Sequence, residues 1–215
     1  VAPDYPAAIP KLVLFEAFGR DIPAGHSCAD LGFAFFSAEA VASIGKAFDT
    51  GRVPFEKIVT LVDKAGRKTI VSARIGTPIA DVLAAHQIQT GDKDRLVVGG
   101  PMTGAAIFDE QAPIQADTDA ILVQDAADVS LVSDYPCINC GECVRACPTR
   151  VPVNMLVRFL EAGQYEDGAE LYDLYSCVDC GLCSFVCVAR IPIFQYIRLA
   201  KYELSRSMAV EASNA

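Results

Sequence analysis

"CINCGECVRACP" (residues 137–148) and "CVDCGLCSFVCV" (residues 177–188) write one four-cysteine pattern twice. Cys137, Cys140, Cys143, Cys147 and Pro148 form C-x2-C-x2-C-x3-C-P; Cys177, Cys180, Cys183 and Cys187 repeat it with Val188 in the proline's place. Four sulfurs so close along the chain pair poorly among themselves, which argues against a disulfide framework. They suit inorganic clusters: three thiolates wrap three corners of a cubane, and the fourth, beyond a short helical turn, faces a neighbouring cubane. The spacing predicts two 4Fe-4S clusters with crossed ligands. Cluster one falls to Cys137, Cys140, Cys143 and Cys187, and cluster two to Cys177, Cys180, Cys183 and Cys147. Gly141 and Gly181, each directly after the second cysteine, let the backbone turn tightly and aim amide N–H groups at sulfur. Structural zinc competes, since C-x-x-C pairs also bind it, but zinc has no use for the third and fourth cysteines at this repeat.

The spacing is that of bacterial ferredoxins, and the duplication outruns the cysteines. A shift of 40 residues carries Cys137 onto Cys177 and also Arg150 onto Arg190, Val151 onto Ile191, Pro152 onto Pro192 and Arg158 onto Arg198. Each motif then leads into a helix. In "PVNMLVRFLEAG" Met155, Leu156, Phe159 and Leu160 fall at helical spacing, with Pro152 suited to the first turn and Gly163 to the stop. In "IPIFQYIRLAKYEL" Ile193, Tyr196, Ile197, Ala200 and Leu204 make the matching stripe, and one face of each helix is expected to cover a cluster. Between the motifs, residues 164–176 read as a short acidic helix with Leu171, Leu174 and Tyr175 inward. Residues 134–205 are therefore a helical, ferredoxin-like two-cluster domain, followed by a tail at 206–215. Arg150 and Arg190 are candidates for raising a cluster's potential by their charge, against the plainer reading of solvated basic residues near helix starts.

The rest of the chain limits its partners. A hydrophobic fraction of 52% with 21% charged residues is that of a folded protein. The net charge of -9, with no basic stretch interleaved with aromatics, repels phosphate backbones and argues against nucleic acid. No apolar run approaches the ~20 residues of a membrane span, and the first residues carry no secretory pattern. Cys28, His26 and His86 stand without partners at a ligand's or nucleophile's spacing, and no hydrolytic constellation appears.

Upstream of the cysteines the texture turns α/β. "EKIVTLVD" (56–63) and "RKTIVSARI" (67–75) read as strands joined at "KAG"; "GTPIADVLAAHQI" follows as a helix capped by Thr77 with Pro78 in its first turn. "DRLVVGGPMTG" is a strand emptying into the glycine loop of Gly99, Gly100 and Gly104, and "ADTDAILVQDAADV" holds one more strand. The loop lacks the phosphate-cradling glycine patterns, which favours tight backbone packing over a ligand. This order predicts an α+β chain: a β-grasp module with linking strands at 51–133, between a shorter N-terminal segment at 1–50 and the two-cluster domain.

The succession of "GRDIPAG", "ARIGTPIADVL", "VVGGPMTGAA", the two motifs and "IPIFQYIRLAK" resembles the C-terminal half of the C subunit of Rnf-type ferredoxin:NAD oxidoreductases, over nearly the whole chain. Relatives of that family include a cobalamin reductase and, more remotely, the flavin-bearing NADH dehydrogenase subunit of respiratory complex I. The resemblance implies a soluble-ligand-binding β-grasp domain and clusters that relay electrons to or from NADH through FMN. It implies a complex of other redox subunits, among them a flavoprotein, ferredoxin or membrane subunit, and a place on the cytoplasmic face of a membrane. One departure stands out. Before "GR-x-IP" the family carries a stretch like YP-x-GGEK, whereas this chain has Ala7, Ala8, Ile9 and Pro10 in "YPAAIPKLVLFEAFGRDIP". Residues 1–50 thus resemble a shortened remnant of the family's nucleotide-binding fold, and neither FMN nor NADH is expected on this chain. The competing readings are a flavin-dependent NADH or cobalamin reductase component, and a β-grasp ligand-binding module with the clusters as its reducing arm.

Overall fold

Alternating apolar and polar residues after Phe55 become paired strands in the computed structural model, which describes residues 4–214. Val1 to Pro3, where the N-terminal segment begins, and Ala215, where the tail ends, lie outside the described residues. In chain order the elements are α1 (Pro10–Phe18), α2 (Ala38–Thr50), β1 (Glu56–Val62), β2 (Lys68–Arg74), α3 (Ile79–Ala85), β3 (Arg95–Val98), β4 (Ala105–Ile107) and β5 (Ala120–Gln124). There follow α4 (Glu142–Ala146), α5 (Val153–Glu161), α6 (Tyr165–Leu171), α7 (Leu182–Phe185) and α8 (Ile193–Asn214). They form two compact units, one of residues 36–130 and one of residues 1–35 with 131–215.

The first unit is a five-stranded mixed sheet in the order β2-β1-β5-β3-β4. β1 pairs antiparallel with β2 and parallel with β5, Leu61 lying opposite Ile121; β3 runs antiparallel to both β5 and β4. Every second residue of β1 is buried: Lys57, Val59 and Leu61 face one way. With Val71, Leu96, Ile121 and Val123, the two apolar ones meet Ile79, Val82 and Leu83 of α3 and Ile114 in one core. Each fully buried branched side chain there adds about 1.5–3 kcal/mol over its exposed state.

The glycine loop closes on itself. A Cβ on Gly104 would lie 2.6 Å from the Gly100 carbonyl oxygen and 2.8 Å from that of Val98, and Gly99 sits at φ 100°, where side chains are strained. Tight packing of backbone on backbone is what these glycines provide. The start of α3 differs from expectation: Pro78 stands at its N-cap and Thr77 makes no side-chain cap. Thr77 instead accepts the amide of Ile114 through its carbonyl, because this stretch is pulled into extended pairing with the chain around Pro113. The unit also takes in α2, capped by the Ser37 hydroxyl accepting the Ala40 amide at 3.1 Å. Glu39 of α2 accepts from Lys57 Nζ at 2.5 Å and from the Ile58 amide at 2.7 Å, and Lys57 also meets Asp119 at 2.7 Å.

The second unit packs helices around Val153, Leu156, Val157, Leu160, Leu174, Ile193, Phe194, Ile197, Ala200 and Leu204. On α5 the fully buried stripe is Val153, Leu156, Val157 and Leu160; Met155 and Phe159, expected inward, are only half-buried. Phe159 lies against Tyr172, ring centroids 4.8 Å apart. The acidic helix between the motifs is α6, and Gly168 brings it close to Leu160 and Leu156 of α5. Leu171, expected to point inward, is exposed. The helix stops at Leu171, and Asp173 in the left-handed region (φ 55°) redirects the chain so that Leu174 enters the core instead. α8 runs on to Asn214, through the residues expected to form a tail.

Candidate metal centre

The duplication is conformational as well as textual. Asn139 and Asp179 have φ 59° and 56°, Gly141 and Gly181 have 78° and 74°, and Arg150 and Arg190 have 57° and 56°. Gly141 is the N-cap of α4 and Gly181 that of α7, so each short helix starts directly after the second cysteine of its motif and carries the third, Cys143 or Cys183, into the interior. The fourth cysteine follows the helix: Cys147 is the C-cap of α4, and Cys187 comes after the C-cap of α7, Val186. The left-handed Asn139 directs its own amide at the Cys137 sulfur, 3.4 Å away.

One cavity brings Cys177, Cys180 and Cys183 together with Cys147 of the other motif. Val151, Val153 and Ile197 wall it with apolar atoms, and Pro148, Thr149, Val178 and Gly181 complete the lining. Cys143 has Cys137 and Cys140 among its near neighbours, and Cys187 packs against the same core as Cys137 and Cys143. The Cys187 sulfur accepts the Ile191 amide at 3.4 Å, and the Cys147 sulfur lies 3.5 Å from the Thr149 hydroxyl. Soft sulfur donors converging on an apolar cavity, with amides aimed at sulfur, fit an iron–sulfur group. Among the described residues no three His, Cys, Asp or Glu side chains converge as ligands of a single metal ion.

Burial pushes the Cys143 and Cys177 thiols up to about 11 and Cys183 up to about 12, with neighbouring cysteines adding to the rise. Burial raises Cys180 as well, partly offset by the Leu182 amide. Burial thus favours the neutral thiol at these four positions, and iron must displace their protons on binding.

Several groups around the centre carry no mark in the cysteine spacing. Lys201 of α8 donates to the Cys177 carbonyl at 2.9 Å and to both Asp179 carboxylate oxygens. Arg145 donates to the Cys140 carbonyl at 3.3 Å and pairs with Glu142. The Tyr5 hydroxyl donates to the Cys180 carbonyl across 175 residues. None has a sequence signal, because each depends on a contact between distant segments or on a side chain folding back. Of the residues without partners by spacing, Cys28 lines an open groove with Tyr175, Cys177 and Lys201, His26 pairs with Asp30 at 3.8 Å, and His86 closes the end of α3.

A protein-family model described as a 4Fe-4S dicluster domain matches residues 136–191, the stretch that holds all eight of these cysteines. The chain is 34% identical over 214 residues, 98% of its length, to the C subunit of the ion-translocating oxidoreductase complex of Edwardsiella ictaluri. It is 32% identical over 93% of its length to the C subunit of a proton-translocating ferredoxin:NAD(+) oxidoreductase complex from Clostridium ljungdahlii. It is 28% identical over 79% of its length to the C subunit of the ion-translocating oxidoreductase complex of Methanosarcina acetivorans. These matches span 26%, 44% and 38% of the respective relatives, so the chain covers less than half the length of each. By these matches, and in its paired cysteine motifs, the chain is similar to the C subunit of the ion-translocating oxidoreductase complexes over the segment the two share.

Proposed function

We propose that this chain relays single electrons between partner redox proteins through two 4Fe-4S clusters, as a subunit or segment of a multi-subunit Rnf-like complex. The observation that carries the reading is the cavity in which Cys147 joins Cys177, Cys180 and Cys183. It supports crossed ligation, with Cys187 completing the set of Cys137, Cys140 and Cys143. When bound, a 4Fe-4S cluster accepts or gives up one electron. The chain's own side chains hold the thiolates, keep water from the cavity with Val151, Val153 and Ile197, and supply amides that offset charge arriving at sulfur. Shared helices between the two motifs would keep the clusters close enough for rapid exchange.

The strand order and the antiparallel pair followed by α3 support reading the sheet unit as a β-grasp of the soluble-ligand-binding type, and the self-packed glycine loop favours a scaffold over a ligand site. Residues 1–50 are read as the reduced remainder of a nucleotide-binding region, with 51–133 as the β-grasp module and 134–205 as the cluster domain. Ala7, Ala8, Ile9 and Pro10 leave no FMN or NADH site of the family's kind. Donor and acceptor would then sit on other subunits, one of them holding the complex at the cytoplasmic face of a membrane. Among the described residues no helix is long and apolar enough to cross one.

Purified without oxygen, the protein is expected to carry about eight iron and eight sulfide per chain and a broad absorbance bleached by dithionite. Two zinc ions without acid-labile sulfide would end the proposal.

A further inference from the structure

The two motifs share a backbone but not the charge held against it. At motif two, Asp179 places a carboxylate oxygen 3.8 Å from the Cys177 sulfur. Lys201, arriving from α8, answers it: its ammonium lies 2.8 and 2.9 Å from the two Asp179 oxygens and 2.9 Å from the Cys177 carbonyl oxygen. At motif one the place of Asp179 is taken by Asn139, whose neutral amide oxygen accepts from Asn154 at 2.7 Å. The shift that relates the motifs puts Glu161 where Lys201 stands. Motif one has its own cation in Arg145, with Glu142 and the Cys140 carbonyl as partners, but that side chain is 63% exposed against 22% for Lys201. Water and salt screen an exposed pair far more than a half-buried one.

We infer that Lys201 sets the potential of the centre formed by Cys147, Cys177, Cys180 and Cys183. This rests on the 4Fe-4S reading above. An electron entering that centre adds one negative charge beside the Asp179 carboxylate, and the Lys201 ammonium offsets the repulsion between them. With Lys201 the reduced form is favoured; without it the bare carboxylate disfavours reduction. Lys201 acts through space and through the Cys177 carbonyl, and is a positioning residue rather than a ligand. Because its counterpart at the other motif is more exposed, the two centres respond unequally to loss of their cations.

The test is a redox titration of the anaerobically purified full chain, followed by the magnetic signals of the reduced clusters. Lys201→Met is expected to lower one midpoint, changing the ratio of reduced to oxidised cluster at fixed potential about tenfold, or about 59 mV for a one-electron couple. Asp179→Asn is expected to raise the same midpoint, Lys201→Arg to stay near the parent, and Arg145→Met to move the other midpoint by less. Opposite shifts from the two partners of one ion pair are not what a general loosening of the site produces. If Lys201→Met does not fold, the upward shift in Asp179→Asn carries the inference, and its absence sinks it. Shifts of the same sign, or unmoved midpoints with iron and sulfide intact, overturn the role of Lys201 alone. Parent protein without acid-labile sulfide overturns the cluster reading beneath it.

Discussion

The sheet unit and the helical unit hold their cores together by different means. In the sheet unit Val59, Leu61, Ile79, Ile114 and Ile121 are almost wholly buried against one another, and no cysteine lies among them. In the helical unit Cys143 and Cys183 belong to the buried core, with Cys137, Cys147, Cys177 and Cys187 packed on its flank. The first core is complete with side chains; the second is built around the residues proposed to hold iron. Stability should therefore be nearly independent of metal in one unit and linked to it in the other.

The largest expected effect breaks the two apart. Chelating iron from the anaerobic protein should abolish amide protection in α4, α5, α7 and α8 while leaving β1, β2, β5 and α3 protected. Equal loss in both units would show that the sheet core also depends on the metal. A narrower version acts within the helical unit: Cys147→Ser should perturb chiefly the cluster held by Cys177, Cys180 and Cys183. Magnetic spectra with damage confined to the cluster of Cys137, Cys140 and Cys143 would mean that each motif closes on itself.

The converse cut is Ile121→Ala, at a site fully enclosed in the sheet core. It should cost about 2–5 kcal/mol in denaturant unfolding of the sheet unit, the usual range for such truncations, and leave cluster absorbance unchanged. The smallest effect is electrostatic. The Lys57 hydrogen bond and then the Ile58 amide hold the Glu39 carboxyl below its ordinary value of 4.5. Because the folded value is the lower one, the contribution is fully present above pH 4.5 and fades as pH falls through the folded value. Thermal melts of the sheet unit should thus lose stability below pH 4.5 in the parent, and lose less in Glu39→Gln.

Much of this was open to reading along the chain, because it depends on neighbours a few residues apart. The cysteine spacing, the glycines that must turn at 141 and 181, the period-two strands of β1 and β2 and the helical stripe of α8 are local, and each appears where its pattern placed it. The three-residue β4 carried too few residues to show a period, and only its partner β3 makes it a strand. Leu171 looked like core by its spacing from Leu174, until the left-handed turn at Asp173 put them on different surfaces. Lys57 shows the same limit: its place in an alternating strand says it is buried, but not that Glu39 and Asp119, 18 and 62 positions away, are there to neutralise it. Spacing thus picks out which cysteines are candidate ligands, since the chain is short enough between them to hold them together. The charges and dipoles around those cysteines, Lys201 on Asp179 and Tyr5 on the Cys180 carbonyl, come from segments 22 and 175 residues off, and only packing brings them into range.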